Sequence, residues 1–178
     1  DFATSECAAR TVAEHFAARC LVPHAAQWAR GGFERSALFK AAGAAGLLGL
    51  QVPHAMGGMA LSFTDTAQVL HTLAGADFGA AMALVNSHNV ATLLLRYSPN
   101  GLAPASLPGL LSGHTVACTA LTEPDTGSDL AQLKTLAIPT GDGWLLSGEK
   151  TWIINAAHAD AVVVYAQTRP GAEIGRAS

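Results

Sequence analysis

Thr119-Ala120-Leu121-Thr122-Glu123-Pro124-Asp125-Thr126-Gly127-Ser128-Asp129 is the stretch that decides how this chain is read. It begins inside a run of β-formers, Thr115 to Leu121, then turns at Pro124 and reaches Gly127-Ser128, where backbone can approach a ligand closely. Open amides there, with the hydroxyls of Thr122 and Ser128, suit the carbonyls of a planar heterocycle or a phosphate oxygen. The same residues equally suit a plain strand-exit loop whose polar side chains bond their own backbone. About twenty residues on lies Gly148-Glu149-Lys150-Thr151-Trp152-Ile153-Ile154-Asn155. Its β-branched and aromatic residues predict a strand over 151–155, paired across a turn with 143–148. Trp152 on such a strand either stacks on a planar ring or fills a core.

Outward from these two stretches the period changes. Downstream, Ala161-Val162-Val163-Val164-Tyr165-Ala166 predicts a buried strand. Upstream, apolar residues recur at helical spacing: Ala8, Val12, Phe16 and Ala13 or Ala17 in a first helix, then Ala37, Leu38, Ala41 and Ala45 in a second. Ser62 is the expected N-cap of a third helix, with Asp65 in its first turn, carrying Phe63, Ala67, Leu70, Leu73 and Ala74. A fourth runs from Phe78 to Tyr97 with Met82, Val85, Asn89, Leu93 and Tyr97 as a stripe, stopped by Ser98-Pro99-Asn100-Gly101. Prolines and glycines over 101–114 leave room for only a short helix. The fold class is therefore α+β: an all-α helical domain over residues 1–114, then the start of a β-barrel-like domain over 115–178.

Of the 178 residues, half are hydrophobic and only 13% charged, with a formal net charge of -3. That excludes a disordered chain and offers no basic excess for nucleic acid. Three widely spaced cysteines (Cys7, Cys20, Cys118) argue for a reduced, intracellular setting rather than a disulfide framework. No CxxC, HExxH or calcium loop supports a metal site. The glycine-broken run Ala41–Leu50 is too short to span a bilayer, and no secretory signal opens the chain. The seven histidines are scattered, and Ser128-Asp129 has no GxSxG elbow, so neither a metal nor a hydrolase triad is indicated. Met56, Met59 and Met82 read as core or pocket lining.

Taken together, the motifs resemble the acyl-CoA dehydrogenase family. They are Thr122-Glu123-Pro124 with Gly127-Ser128-Asp129, then Gly141-Asp142, Gly148, Lys150, Trp152-Ile153, Asn155 and Ala159-Asp160. Gly46-Leu47-Leu48-Gly49-Leu50, Val52-Pro53, Gly57-Gly58, His88 and Leu110-Leu111-Ser112-Gly113 extend the likeness over the whole chain. The resemblance implies an FAD-dependent oxidoreductase of fatty-acid metabolism that desaturates acyl-CoA or acyl-carrier-protein thioesters. It removes an α-proton and passes a β-hydride to flavin N5. The implied cofactor residues lie in the flavin-lining segment from Thr119 to Ser128, with Leu121 and Thr122 at the pyrimidine edge and Gly127 and Ser128 near the pyrophosphate, and in Trp152, Ile153 and Ile154, which flank the ring. Ser128 would also meet the acyl thioester. The family further implies an acyl cleft between the helical and β-domains, an electron-transfer-flavoprotein-like acceptor, a homo-oligomer, and a cytoplasmic (mitochondrial matrix in a eukaryote) location.

Two departures stand out. Ile154 occupies the place of a family Thr or Ser whose hydroxyl bonds flavin N5, and Ser98 to Ser106 replaces a charged segment. The resemblance assigns no catalytic residue within these 178 positions. The base is expected from a C-terminal helical domain beyond Ser178, and Asp129, Glu149 and Glu173 do not match it. Other readings of the same fold are a non-catalytic subunit completing a partner's flavin site, or a flavin oxidase or monooxygenase.

Overall fold

The computed structural model describes residues 2–32, 34–98 and 102–169, with side chains from residue 8 onward. Helices come first and strands after. Helix α1 (Phe2–Phe16) passes into a π-turn, Ala17–Leu21, just ahead of Pro23, whose missing N–H ends regular winding there. A single turn, α2 (Ala25–Trp28), leads to α3 (Arg35–Ala44). Helix α4 (Phe63–Ala76) starts at Ser62, whose side chain accepts from the Asp65 amide as expected. Asp77 caps α5 (Phe78–Tyr97) in the same way through the Ala80 amide. Helix α6 spans Leu102–Ser112.

Helix α6 is longer than its composition suggests. Pro104 sits in the first turn, where no N–H is required, and Pro108 forfeits only the bond it would have given Pro104. Burial of Ala103, Leu107 and Leu110 offsets that loss. Several faces also differ from the periodic reading. In α1 the core face is Ala9, Ala13 and Phe16, with Ala8 exposed; in α3 it is Leu38, Phe39 and Ala42, with Ala37 exposed. In α4 it is Thr66, Val69 and Leu73, leaving Phe63 and Ala67 outside. Helix α5 buries Ala80, Ala81, Ala83, Leu84, Ser87, His88, Val90 and Ala91, so the stripe from Met82 to Tyr97 runs beside the core. Met56 is exposed, whereas Met59 packs against the core.

Helix α5 is long and apolar enough to cross a membrane by length and composition. Its buried face packs on α4, α6 and the first strand. The turn Pro99-Asn100-Gly101, the Cys7 side chain and Glu173 lie outside the described residues. Cys20 and Cys118 are free thiols.

Four short strands follow: β1 (Ala117–Ala120), β2 (Leu136–Pro139), β3 (Trp144–Ser147) and β4 (Ala161–Val164). β1 pairs with β4 in parallel, Ala117 opposite Ala161 and Ala120 opposite Val164. β2 and β3 form an antiparallel hairpin, Leu136 opposite Ser147. Gln167 bonds Ala137 and Thr135, joining the hairpin to the chain leaving β4. β2 has no counterpart in the sequence reading, and the strand expected over 151–155 does not form. Trp152 (φ +56) and Asn155 (φ +69) are left-handed there, which no strand permits.

Two positions expose what holds the helical part together. Gly113 has φ +73, and a Cβ on it would lie 2.0 Å from the Phe39 carbonyl oxygen, so α6 can end against α3 only on a glycine. Gly113→Ala is expected to lower unfolding free energy by about 2 kcal/mol or more, measured by denaturant titration. His88 is 1% exposed and faces the Leu48 carbonyl with neither ring nitrogen in hydrogen-bond geometry. Burial pushes its pKa below the usual 6.5, outweighing that carbonyl's opposite pull. The folded state thus binds fewer protons than the unfolded one, so this contribution is complete above pH 6.5 and is lost as pH falls below it. Melting temperature followed from neutral pH downward should fall more steeply for the wild type than for His88→Leu.

Candidate functional site

β1 is bonded on both edges. One edge pairs with β4; on the other, the Ala117 amide donates to Ser87 Oγ at 3.3 Å and the Thr119 amide to Asn86 Oδ1 at 2.9 Å. Alternate amides of a strand point to opposite sides, so the odd-numbered donors fall to α5 and the even-numbered to β4. Asn155 Nδ2 donates to the Ala83 carbonyl at 2.9 Å, a third polar bond between α5 and the strand region. Helix α5 therefore closes a sheet edge that would otherwise stand open.

Past Ala120 the chain enters the loop that carries the sequence motif. The Glu123 carboxylate, 4% exposed, accepts from the Lys134 amide at 2.6 Å, the Thr135 amide at 2.8 Å and the Thr135 hydroxyl. Lys150 Nζ reaches it at 2.9 Å and also donates to the Leu121 carbonyl at 2.9 Å. Burial alone would push the Glu123 carboxyl up. The Thr135 hydroxyl, the Lys134 amide, the Lys150 ammonium and the Thr135 amide bring it down to about 2. The Thr151 amide donates to the Thr122 carbonyl at 3.0 Å, so 150–151 lies directly against 121–122. Gly148 lets the same segment pass close to Thr135: with φ +153, a Cβ there would sit 2.5 Å from the Thr135 hydroxyl oxygen.

Two halves of the expected site thus meet. Leu121 and Thr122 are half-buried, and among the described residues neither backbone N–H has an acceptor, nor does the Thr122 hydroxyl. Thr119 Oγ1 is buried without a partner. Gly127 and Ser128 lie on the exposed far side of a turn that Glu123 and Thr126 close with paired backbone bonds. The space where a Gly127 Cβ would stand holds nothing within 4 Å. Asp129 is occupied with capping the Leu130–Gln132 turn through the Ala131 amide.

Trp152 is neither in a strand nor in a core. Its side chain is 88% exposed on a left-handed backbone, a conformation that costs a non-glycine residue about 1 kcal/mol or more. Ile153 is half-buried, and Ile154 packs its alkyl chain against the core of the helical part. That packing is a physical reason for a hydrocarbon at position 154.

Two cavities flank these loops. An apolar cleft of about 530 Å³ lies between the end of α5, the start of α6 and β4, lined by Leu93, Tyr97, Leu102, Val163 and Tyr165 among others. Its wall residue Val164 stands opposite Ala120 in register, one residue short of Leu121. A second, about 470 Å³, is more polar and includes Trp28, Arg35, Asp77, Ile154 and Asn155. Leu121, Ser128 and Trp152 line neither.

The sequence reading named Glu123 and Lys150 only as motif positions, and Asn86, Ser87 and Thr135 not at all. A signal was available for the first two. In a chain with 13% charged residues, opposite charges sat in the two most informative stretches.

Known proteins match both the helical part and the strand part of this chain. Residues 4–114 match the family model of the acyl-CoA dehydrogenase N-terminal domain, and residues 118–177 that of the middle domain. The short-chain specific acyl-CoA dehydrogenase of Homo sapiens mitochondria is 35% identical over 155 residues, covering 86% of this chain and 37% of that protein. The Mycobacterium smegmatis glutaryl-CoA dehydrogenase solved with FADH2 superposes at a TM-score of 0.85 and 28% identity, over 91% of this chain and 42% of that one. PigA solved with FAD and proline gives a TM-score of 0.87 at 31% identity, over 95% and 45%. The chain spans less than half the length of these relatives. With both domain models matched in order along the chain, and helices and strands where those domains place them, this chain belongs to the acyl-CoA dehydrogenase family.

Proposed function

We propose that these residues form the helical flank and flavin-facing wall of an FAD-dependent dehydrogenase acting on acyl-CoA or acyl-carrier-protein thioesters. The observation that carries the reading is a pair of backbone N–H groups, on Leu121 and Thr122, with no acceptor among the described residues. They lie on a loop hydrogen-bonded to the segment that presents Trp152. An outward-facing indole on a strained backbone and two unclaimed donors are what a planar, carbonyl-edged ring would use.

FAD, when bound, supplies the hydride acceptor for α,β-desaturation. The chain's own residues do the holding. The amides of Leu121 and Thr122 bond the pyrimidine edge, and the Thr119 and Thr122 hydroxyls add further donors. Gly127 and Ser128 leave open backbone and a free hydroxyl for the pyrophosphate and the thioester. Trp152, Ile153 and Ile154 bound the ring's edge and face. Because Ile154 has no hydroxyl, any bond from that position comes from its backbone amide, which supports a flavin potential different from that of relatives with Thr or Ser there. The cleft between α5, α6 and β4 offers an apolar surface for an acyl chain. No residue of this chain is assigned the removal of the α-proton. The proposal extends to an electron-transfer-flavoprotein-like acceptor, a homo-oligomeric assembly and a cytoplasmic or mitochondrial-matrix location.

The polypeptide, expressed at the full length its gene encodes, should purify with flavin absorbance that bleaches anaerobically on addition of an acyl-CoA or acyl-carrier-protein thioester. Absence of flavin after reconstitution with FAD would contradict the reading. Bleaching followed by rapid oxygen consumption would favour the oxidase alternative. Trp152→Ala should weaken FAD binding roughly five- to tenfold while leaving the melting temperature nearly unchanged, since the side chain is 88% exposed. An unaltered affinity in a fluorescence titration would remove Trp152 from the site.

A further inference from the structure

We infer that Glu123 and Lys150 are positioning residues that aim the Thr122 N–H at the cofactor. This deepens the flavin reading and rests on it. A trans peptide is planar, so the carbonyl of one residue and the N–H of the next point in opposite directions. Lys150 Nζ draws the Leu121 carbonyl toward itself at 2.9 Å, which turns the Thr122 N–H away from Lys150, where it meets no acceptor among the described residues. The following peptide is held in the same sense. The Thr122 carbonyl accepts from the Thr151 amide, and the Glu123 N–H, turned the other way, closes on the Thr126 carbonyl at 2.9 Å. One orientation at each peptide satisfies every bond, so the Thr122 donor is set before any ligand arrives.

Glu123 makes Lys150 available for this task. The ammonium is 10% exposed, and a buried cation needs a fixed counter-charge to stay at a neutral carbonyl. The carboxylate supplies it while three donors from Lys134 and Thr135 hold it still. Its position is thereby referred to residues 134–135, which lead into β2 and are separate from the loop it orients. Lys134 takes part through its amide, because its own ammonium is engaged by Asp125 at the surface.

The test uses the full-length protein reconstituted with FAD. Its readouts are FAD affinity by fluorescence titration, the flavin midpoint potential and the melting temperature. Lys150→Met leaves Glu123 buried without its partner and is expected to cost stability. The double variant Glu123→Gln with Lys150→Met removes both charges and keeps the fold accessible. Folded double variant should bind FAD about tenfold or more weakly, as for loss of a well-aimed hydrogen bond. Its midpoint potential should be lower, because a donor to the electron-rich reduced ring is lost. Lys150→Arg, which keeps a donor and a charge, should recover part of both. Wild-type affinity and potential in the folded double variant would overturn the assignment while leaving the flavin reading intact. A wild-type protein that takes up no FAD would overturn both.

Discussion

A carboxylate buried at 4% exposure in a chain with so few charges is the constraint on which the site depends. Left alone, Glu123 would be too costly to ionise there and would take a proton. Four donors from two other segments, 134–135 and Lys150, make the ion the stable form and fix those segments to the loop that carries it. The loop after β1, the residues leading into β2 and the approach to Trp152 are thereby one unit. Hydrophobic packing could bring these segments near each other, but it is non-directional and would not set the facing of a peptide plane. The bonds to Glu123 and Lys150 do.

The same economy joins the helical part to the strands. Apolar contact between α5 and β1 is extensive, and Val52, Val90, Ala91, Leu107 and Ala117 share a small core. Yet the register of strand on helix is set by Asn86, Ser87 and Asn155, polar side chains aimed at particular backbone groups. Ile154, anchored in the helical core beside Asn155, and Trp152, turned outward two residues earlier, are products of that anchoring. The left-handed turns at Trp152 and Asn155 direct one side chain out and the other in.

The division into a helical part and a strand part was legible because period and composition change together near residue 115. The Ser62 cap was legible because its chemistry is local, within three residues. What escaped the sequence was set from a distance. Segment 151–155 has strand-forming residues but is claimed by Thr122 on one side and Ala83 on the other, and it bends to meet both. Helix α6 survives two prolines because its apolar face is buried. The α5 stripe from Met82 to Tyr97 has helical spacing, as does the small-residue face that packs, and spacing cannot rank the two. β2 is recognisable only beside β3, its partner across a turn. Within the candidate site, the sequence pointed to Thr122 and Ser128 through their hydroxyls, and to Thr119 and Leu121 only through the family resemblance. Glu123 and Lys150 stood in the motifs as opposite charges, but their pairing across 27 residues at 2.9 Å is set by the fold.

The most direct test of the account is a crystal structure of the full-length protein with FAD bound. The account predicts the pyrimidine edge of the flavin within hydrogen-bond distance of the Leu121 and Thr122 amides, the ring beside the Trp152 indole, and Lys150 still on the Leu121 carbonyl. A flavin seated elsewhere, or a Leu121–Thr122 peptide reversed so that its carbonyl faces the ring, would contradict it.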